Sequence, residues 1–371
     1  MRYIGITVFG LCLIAACGGE PEPAADDAIS LPVDTLKVVM EIGEEIGDST
    51  NTFAAITAAT IDRHDRIVVV DQAAACLKVY DMSGNFIQQL SRRGEGPGEL
   101  VMPWDLFHFP DGRLAVVAPG KRGFVVFDDS LNYLEEIGLW DQNPPFYPMA
   151  LSDSSFVGYK IGQDMRDETI VMRRAVAIYR WNQEEWETLL WRDSTEASMS
   201  EIMEDPSVFI MDLIDPMSIG GGPEEGIFFS LKDPRDYSVI GWDTTGAEIL
   251  SITMDLTPVE KTPEEMADES IFVNSYIQRI SGGGGMPFQY TPDPYKEQVI
   301  EVDIGPDNNL WVRRGTRNEP FFDIYDLEGN LLRHAVFPDD SWSWVTSVTR
   351  RGILAWEEDP VEGYQKLYLL E

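Results

Sequence analysis

A short tag recurs along the chain and limits what it can fold into: an aromatic residue, Asp, two residues, then Gly or Gly-Asn. It reads Tyr80-Asp81-x-x-Gly84-Asn85, Phe127-Asp128-x-x-Leu131-Asn132, Trp242-Asp243-x-x-Gly246 and Tyr325-Asp326-x-x-Gly329-Asn330. A worn copy stands at Tyr179-Arg180-Trp181-Asn182. An alternating apolar stretch leads into each copy and another follows it, the pattern of strand, tight turn, strand. The Asp carboxylate can accept backbone N–H groups inside a type I turn. Gly or Asn tolerates the left-handed position that closes the hairpin.

The first two copies align without a gap: residues 65–90 lie over 112–137 at a constant offset of 47. A period in the forties built from short strands indicates a β-propeller blade. Six blades are predicted, at roughly 53–90, 101–137, 146–191, 207–253, 298–336 and from Trp344 onward. The last blade ends at Glu371, where its tag would begin, so it lacks an outer strand. Leu36–Ile42 has no partner of its own and is expected to supply that strand and close the ring. One segment breaks the all-β pattern. Thr262-Pro263-Glu264-Glu265 opens a helix, Met266, Val273, Ile277 and Ile280 repeat at helical spacing, and Gly282–Gly285 ends it. A helix over 263–280 between blades four and five is expected, with the glycine run as a flexible connection.

The first residues form a separate unit. A short basic start, Met1-Arg2-Tyr3, precedes the apolar run Ile4–Ile14, which ends Ile14-Ala15-Ala16-Cys17. This resembles the lipobox of bacterial lipoproteins and implies a signal peptide over 1–16, cleavage before Cys17 and lipidation there. Residues 17–30 then form an acidic tether and 31–371 the propeller domain. Of three cysteines, Cys12 leaves with the signal, Cys17 carries lipid, and Cys76 remains as a buried, inert thiol. The formal charge of −36 argues against nucleic acid as a partner.

The stretch Arg92-Arg93-Gly94-Glu95-Gly96-Pro97-Gly98-Glu99-Leu100 follows an outer strand. It resembles the GxGPGE junction of bacterial six-bladed propeller lipoproteins related to NHL repeats, with Leu100 where that family usually has Phe. The resemblance implies a six-bladed propeller on the cell envelope; with lipid at Cys17 the protein is expected to be a monomer facing the periplasm or the cell surface. The resemblance implies no settled reaction, and no cofactor is expected. A binding or scaffold role is expected. The competing expectation is a metal-dependent lactonase or lyase, because related propellers hold a divalent ion in the channel. Asp62 and Asp303 would be its ligands here.

Other chemistry is sparse. His64 falls in a turn, His108 near the end of an inner strand and His334 in an outer strand, with no metal-ligand spacing. No G-x-S-x-G elbow occurs. With strands labelled A to D outward from the channel, the B–C loops and D–A crossings share one face. The segments 161–173, 191–206, 254–297 and 314–320 are expected there as long loops. The same face collects Arg92, Arg93, Lys121, Arg122, Arg173, Arg174, Arg235, Arg313, Arg314 and Arg317. Forked guanidiniums suit carboxylates and sulfates, so an anionic ligand is expected.

Overall fold

The computed structural model describes residues 31–138, 145–166, 168–181, 186–204, 216–280, 290–315, 321–338, 344–357 and 364–371. Two strands come first, β1 (Val33–Thr35) and β2 (Val38–Ile42). Blade one is β3 (Ile56–Ile61), β4 (Arg66–Asp71), β5 (Cys76–Asp81) and β6 (Phe86–Leu90). Blade two is β7 (Asp105–His108), β8 (Leu114–Ala118), β9 (Gly123–Phe127) and β10 (Tyr133–Gly138). Blade three is β11 (Phe146–Ala150), β12 (Ser155–Arg166), β13 (Thr169–Arg180) and β14 (Trp186–Ser198), followed by a short helix α1 (Met199–Glu204). Blade four is β15 (Met217–Gly222), β16 (Gly226–Leu231), β17 (Tyr237–Trp242) and β18 (Glu248–Met254). Helix α2 (Pro263–Ile280) intervenes. Blade five is β19 (Glu301–Ile304), β20 (Leu310–Arg313), β21 (Phe321–Tyr325) and β22 (Leu331–Val336). Blade six is β23 (Trp344–Thr349), β24 (Gly352–Glu357) and β25 (Leu367–Leu370).

Each inner strand touches the next, β3 to β7, β11, β15, β19, β23 and back to β3. This is a six-bladed β-propeller. The core is divided into interblade layers rather than gathered in one centre. Leu106 packs with Ala58, Val68 and Val70 of blade one, while Phe107 packs with Phe156 and Trp181 of blade three. That split follows from the two-residue period of a strand whose faces meet different neighbours.

The tag does what its residues predict. Asp81 Oδ1 accepts from the backbone N–H groups of Ser83 and Asn85, both at 2.9 Å, and Asn85 Nδ2 donates to Asp81 Oδ2. These hydrogen bonds hold the Asp81 carboxyl below its ordinary pKa. Gly84, Gly246 and Gly329 sit at φ 82°, 89° and 88°, and Leu131 takes the same left-handed position at 64°.

Ring closure matches the expectation over Val38–Ile42, which pairs antiparallel with β25 as the outer strand of blade six. The expected strand over Leu36–Ile42 is therefore shorter. The residues just before it add something the sequence did not suggest. β1 runs parallel to β22, making blade five a five-stranded sheet. Helix α2 has the bounds expected. Its capping box is complete: Glu265 N–H donates to Thr262 Oγ1 at 3.2 Å and Thr262 N–H to Glu265 Oε2 at 2.7 Å. The glycine run 282–285 and the worn tag residue Asn182 lie outside the described residues.

Blade three departs from expectation. The segments read as long loops, 161–173 and 191–206, are largely strand. β12 and β13 continue in unbroken register from Ser155↔Arg180 to Arg166↔Thr169, and β14 follows them to Thr169↔Ser198. Ile170, Met172 and Ala197, with Ile161 and Ile202 against them, give this extension a small core of its own. The charged residues between its apolar positions hid the alternation.

Candidate binding face

Each inner strand runs from a D–A crossing to an A–B turn, so the B–C loops lie with the D–A crossings. The extension of blade three rises from this face. The insertion that carries α2 is tied to the same face. Gln298 N–H donates to Asp233 O at 2.9 Å, Gln298 Nε2 to Pro234 O at 3.0 Å, and Gly315 N–H to Glu297 O at 3.1 Å. The insertion has its own polar core. Lys261 Nζ lies 2.5 Å from Glu269 and 3.5 Å from Glu297, and Tyr290 Oη donates to Glu269 at 2.7 Å. Burial raises the Glu297 carboxyl above its ordinary pKa despite the nearby lysine.

The basic residues fall into three groups on this face. At the junction of blades one and two, the crossing loop 91–104 meets the 3-10 turn Pro119–Lys121. Lys121 Nζ binds the carbonyls of Glu95 and Gly96 and the Glu136 carboxylate at 2.8 Å. Arg92 is 79% exposed and shares an ion pair with Glu99 at 2.8 Å. Arg93 donates to Ala73 O, and Arg122 is exposed with no ion pair among the described residues. On blade three, Arg173 pairs with Asp164 and Arg174 with Asp193, each at 2.5 Å. At blades four and five, Arg235 meets Asp293 at 3.2 Å. Arg313 is buried, donating to Trp344 O and Thr346 Oγ1. Arg314 forks onto Asp323 between the rings of Tyr237 and Phe321. Arg317 lies outside the described residues.

Asp323 is fully buried and has three partners. Besides Arg314 it accepts from Tyr237 Oη at 2.8 Å and lies 2.8 Å from His334 Nδ1. The network joins blade four to blade five. His64, in its turn, meets Asp129 at 2.8 Å.

The two carboxylates considered as metal ligands occupy different settings. Asp62 caps the first A–B turn, accepting from His64 N–H, Arg66 N–H and Arg66 Nε. Asp303 lies in β19, where its Oδ1 accepts from Gly221 N–H of blade four at 3.0 Å, and burial pushes its pKa up to about 7. Glu301, two residues earlier, accepts from Val348 N–H and Thr346 Oγ1 of blade six. The acidic residues of β19 therefore bind to both neighbouring blades. Among the described residues, no three His, Cys, Asp or Glu side chains gather to hold a metal ion.

Two further inner-strand groups are notable, and of these only Asp105 went unread in the sequence. Asp105 begins β7, and burial pushes its carboxyl up to about 6. His108 ends the same strand, with its pKa lowered to about 4 by burial and its Nε2 without a hydrogen-bond partner among the described residues. The repeat offset could have exposed Asp105, because it places that acid over Ala58. On the rim of blade one, Cys76 lines an open cavity of about 270 Å³ with Asp71 and Lys78. Its thiol is 2% exposed and burial pushes it up to about 11, which fits an inert thiol.

Residues 53–174 match the DUF5128 family model, described as a 6-bladed beta-propeller. No curated protein matches the chain. Similar solved structures include a putative exported protein from Bacteroides fragilis, with 11% identity and a TM-score of 0.49 over 92% of this chain and 98% of that one. A duf4221 family member from Bacteroides vulgatus has 10% identity and a TM-score of 0.48, covering 91% and 98%. Regucalcin, a calcium-binding protein from Agrobacterium tumefaciens, has 12% identity and a TM-score of 0.42, covering 91% and 96%.

Proposed function

We propose that the protein is a lipid-anchored propeller of the bacterial cell envelope that binds an anionic ligand on the face bearing its B–C loops and D–A crossings. One observation carries the reading. Arg92, Arg93 and Arg122 stand exposed together where the 91–104 crossing meets the Pro119–Lys121 turn, in a chain whose formal charge is −36. The Arg122 guanidinium can fork onto a carboxylate or sulfate group, and Arg92 and Arg93, which hold only Glu99 and the Ala73 carbonyl, present their remaining N–H groups beside it. Arg313, Arg314 and Lys121 are committed to internal partners and hold loops in place. A face enlarged by an inserted helix and an extended hairpin suits binding, since recognition resides in segments set on a rigid frame.

The test is retention on columns of an acidic polysaccharide against neutral dextran. Combined Arg92→Glu, Arg93→Glu and Arg122→Glu should abolish retention on the acidic column with no change in melting temperature. Undiminished retention would overturn the anionic reading. The anchor is tested separately: Cys17→Ala should leave unprocessed precursor, and normal maturation of that variant would remove the lipid from the account.

A further inference from the structure

The channel mouth on this face carries a second arrangement, between blades two and three. Trp104 immediately precedes β7, and its ring meets Phe146 at the start of β11 edge to face, with centroids 5.5 Å apart. Trp104 remains 38% exposed and the nearby Met102 57%. Met102 and Tyr147 hold left-handed backbone at φ 51° and 49°. Bulky residues adopt that conformation only under constraint from their surroundings, and such strain gathers at functional sites.

Asp105 follows Trp104 directly, as the first residue of β7. It alternates with Leu106, which packs toward blade one, and so shares the side of Phe107, which packs toward blade three. Among the described residues its carboxyl accepts one hydrogen bond, from the adjacent Leu106 N–H at 2.7 Å. The strands packed against it are β3, β8 and β11, and their only ionisable side chain is Tyr147. His108 lies at the far end of β7 on the opposite side. No described cation answers Asp105, whereas Asp62, Asp71 and Asp323 all have one.

We infer that Asp105, Trp104 and Phe146 form a binding site for a primary ammonium group carried on an apolar stem. The carboxylate supplies the charge the site lacks a partner for. The ring faces take the stem and the flank of the cation, an attraction that strengthens where water is excluded. The excess negative charge of the chain draws cations toward it. This site is separate from the exposed arginines and stands whether or not they bind anions.

Calorimetric titration of the purified protein with n-butylammonium at pH 8 tests the inference, with 1-butanol as the uncharged isostere. Saturable binding is expected for the ammonium, at least tenfold weaker in Asp105→Asn and weaker also in Trp104→Leu. Because burial sets the Asp105 pKa at about 6, affinity should fall about tenfold from pH 7 to pH 5. A parallel arm with Nα-acetyl-lysine methylamide separates a lysine borne on a polypeptide from a free amine, by which of the two binds tighter. Butanol binding as tightly as butylammonium, or Asp105→Asn binding unchanged, would overturn the inference. Trp104→Leu retains the carboxylate, so the test survives a folding defect in the other variant.

Discussion

Lys37 and Glu371 exchange both of their backbone hydrogen bonds, Lys37 N–H to Glu371 O at 2.7 Å and Glu371 N–H to Lys37 O at 3.0 Å. The last residue of the chain is thus paired with one that precedes every blade. β2 continues that pairing and buries Met40 and Ile42 between blades six and one, while Leu36 enters the layer between five and six. Deleting Leu36–Ile42 should lower stability by several kcal/mol, because backbone hydrogen bonds and about three buried side chains are lost together. Deleting residues 18–30 should change almost nothing. Melting curves of the two deletions compare them directly, and equal midpoints would contradict closure by β2.

Asp323 provides the second prediction. Asp323→Ala would leave Arg314 without its carboxylate between blades four and five. The expected loss is about 3–5 kcal/mol, toward the lower end because the Arg314 side chain keeps 25% exposure. Tyr237→Phe removes the buried hydrogen bonds of its hydroxyl to Asp323 and Tyr325 and should cost about 1–3 kcal/mol. Urea unfolding of both variants should rank them in that order.

The inner strands give the protein opposing pH dependences. His108 has a native pKa of about 4 against an ordinary 6.5, so the unfolded chain binds more protons between those values. Its contribution to stability is lost as pH falls from about 6.5 through 4, on the order of 3 kcal/mol in full. Asp303, raised to about 7, behaves oppositely. The native state binds its proton more tightly, so stability declines as pH rises from about 4 through 7. His108→Gln should flatten the acid side of the stability profile. Asp303→Asn should gain stability at pH 8 relative to pH 5, and parallel profiles for wild type and variant would refute that assignment.

Gly98 tests why the GxGPGE junction needs its glycines. Its backbone is at φ 72°, and a Cβ there would lie 2.8 Å from the Tyr133 ring. Gly98→Ala combines left-handed strain with that clash and should cost about 2 kcal/mol. Thermal unfolding of Gly98→Ala with and without Tyr133→Ala separates the two contributions. Relief by the second substitution is expected to be partial, since only the clash is removed.

The ring was legible because its signals are local. Asp81, Asp128, Asp243 and Asp326 each build a turn from residues within four positions, and Thr262 with Glu265 does the same for α2. The extension of blade three was not legible, because its strands leave the propeller and expose charged residues such as Asp164 and Arg173 along both edges of the pattern. Interblade pairing was hidden for a different reason. Nothing near Arg314 in sequence announces Tyr237, and nothing near Glu301 announces Thr346. A list of basic residues therefore mixed buried braces such as Arg313 with exposed groups such as Arg122.

β1 adds a mechanical property. The three residues Val33–Thr35 lie along the outside of blade five, held by pairing with β22 and by the Asp34–Arg333 ion pair, and the chain then passes to the closing strand of blade six. A pull on the chain ahead of Pro32 loads this short exposed strand before it reaches β2. Peeling β1 leaves four strands in blade five and the ring intact, whereas the next step removes the clasp that holds the circle shut. Tension applied through the N-terminus therefore meets a small sacrificial catch in front of the strand that completes blade six.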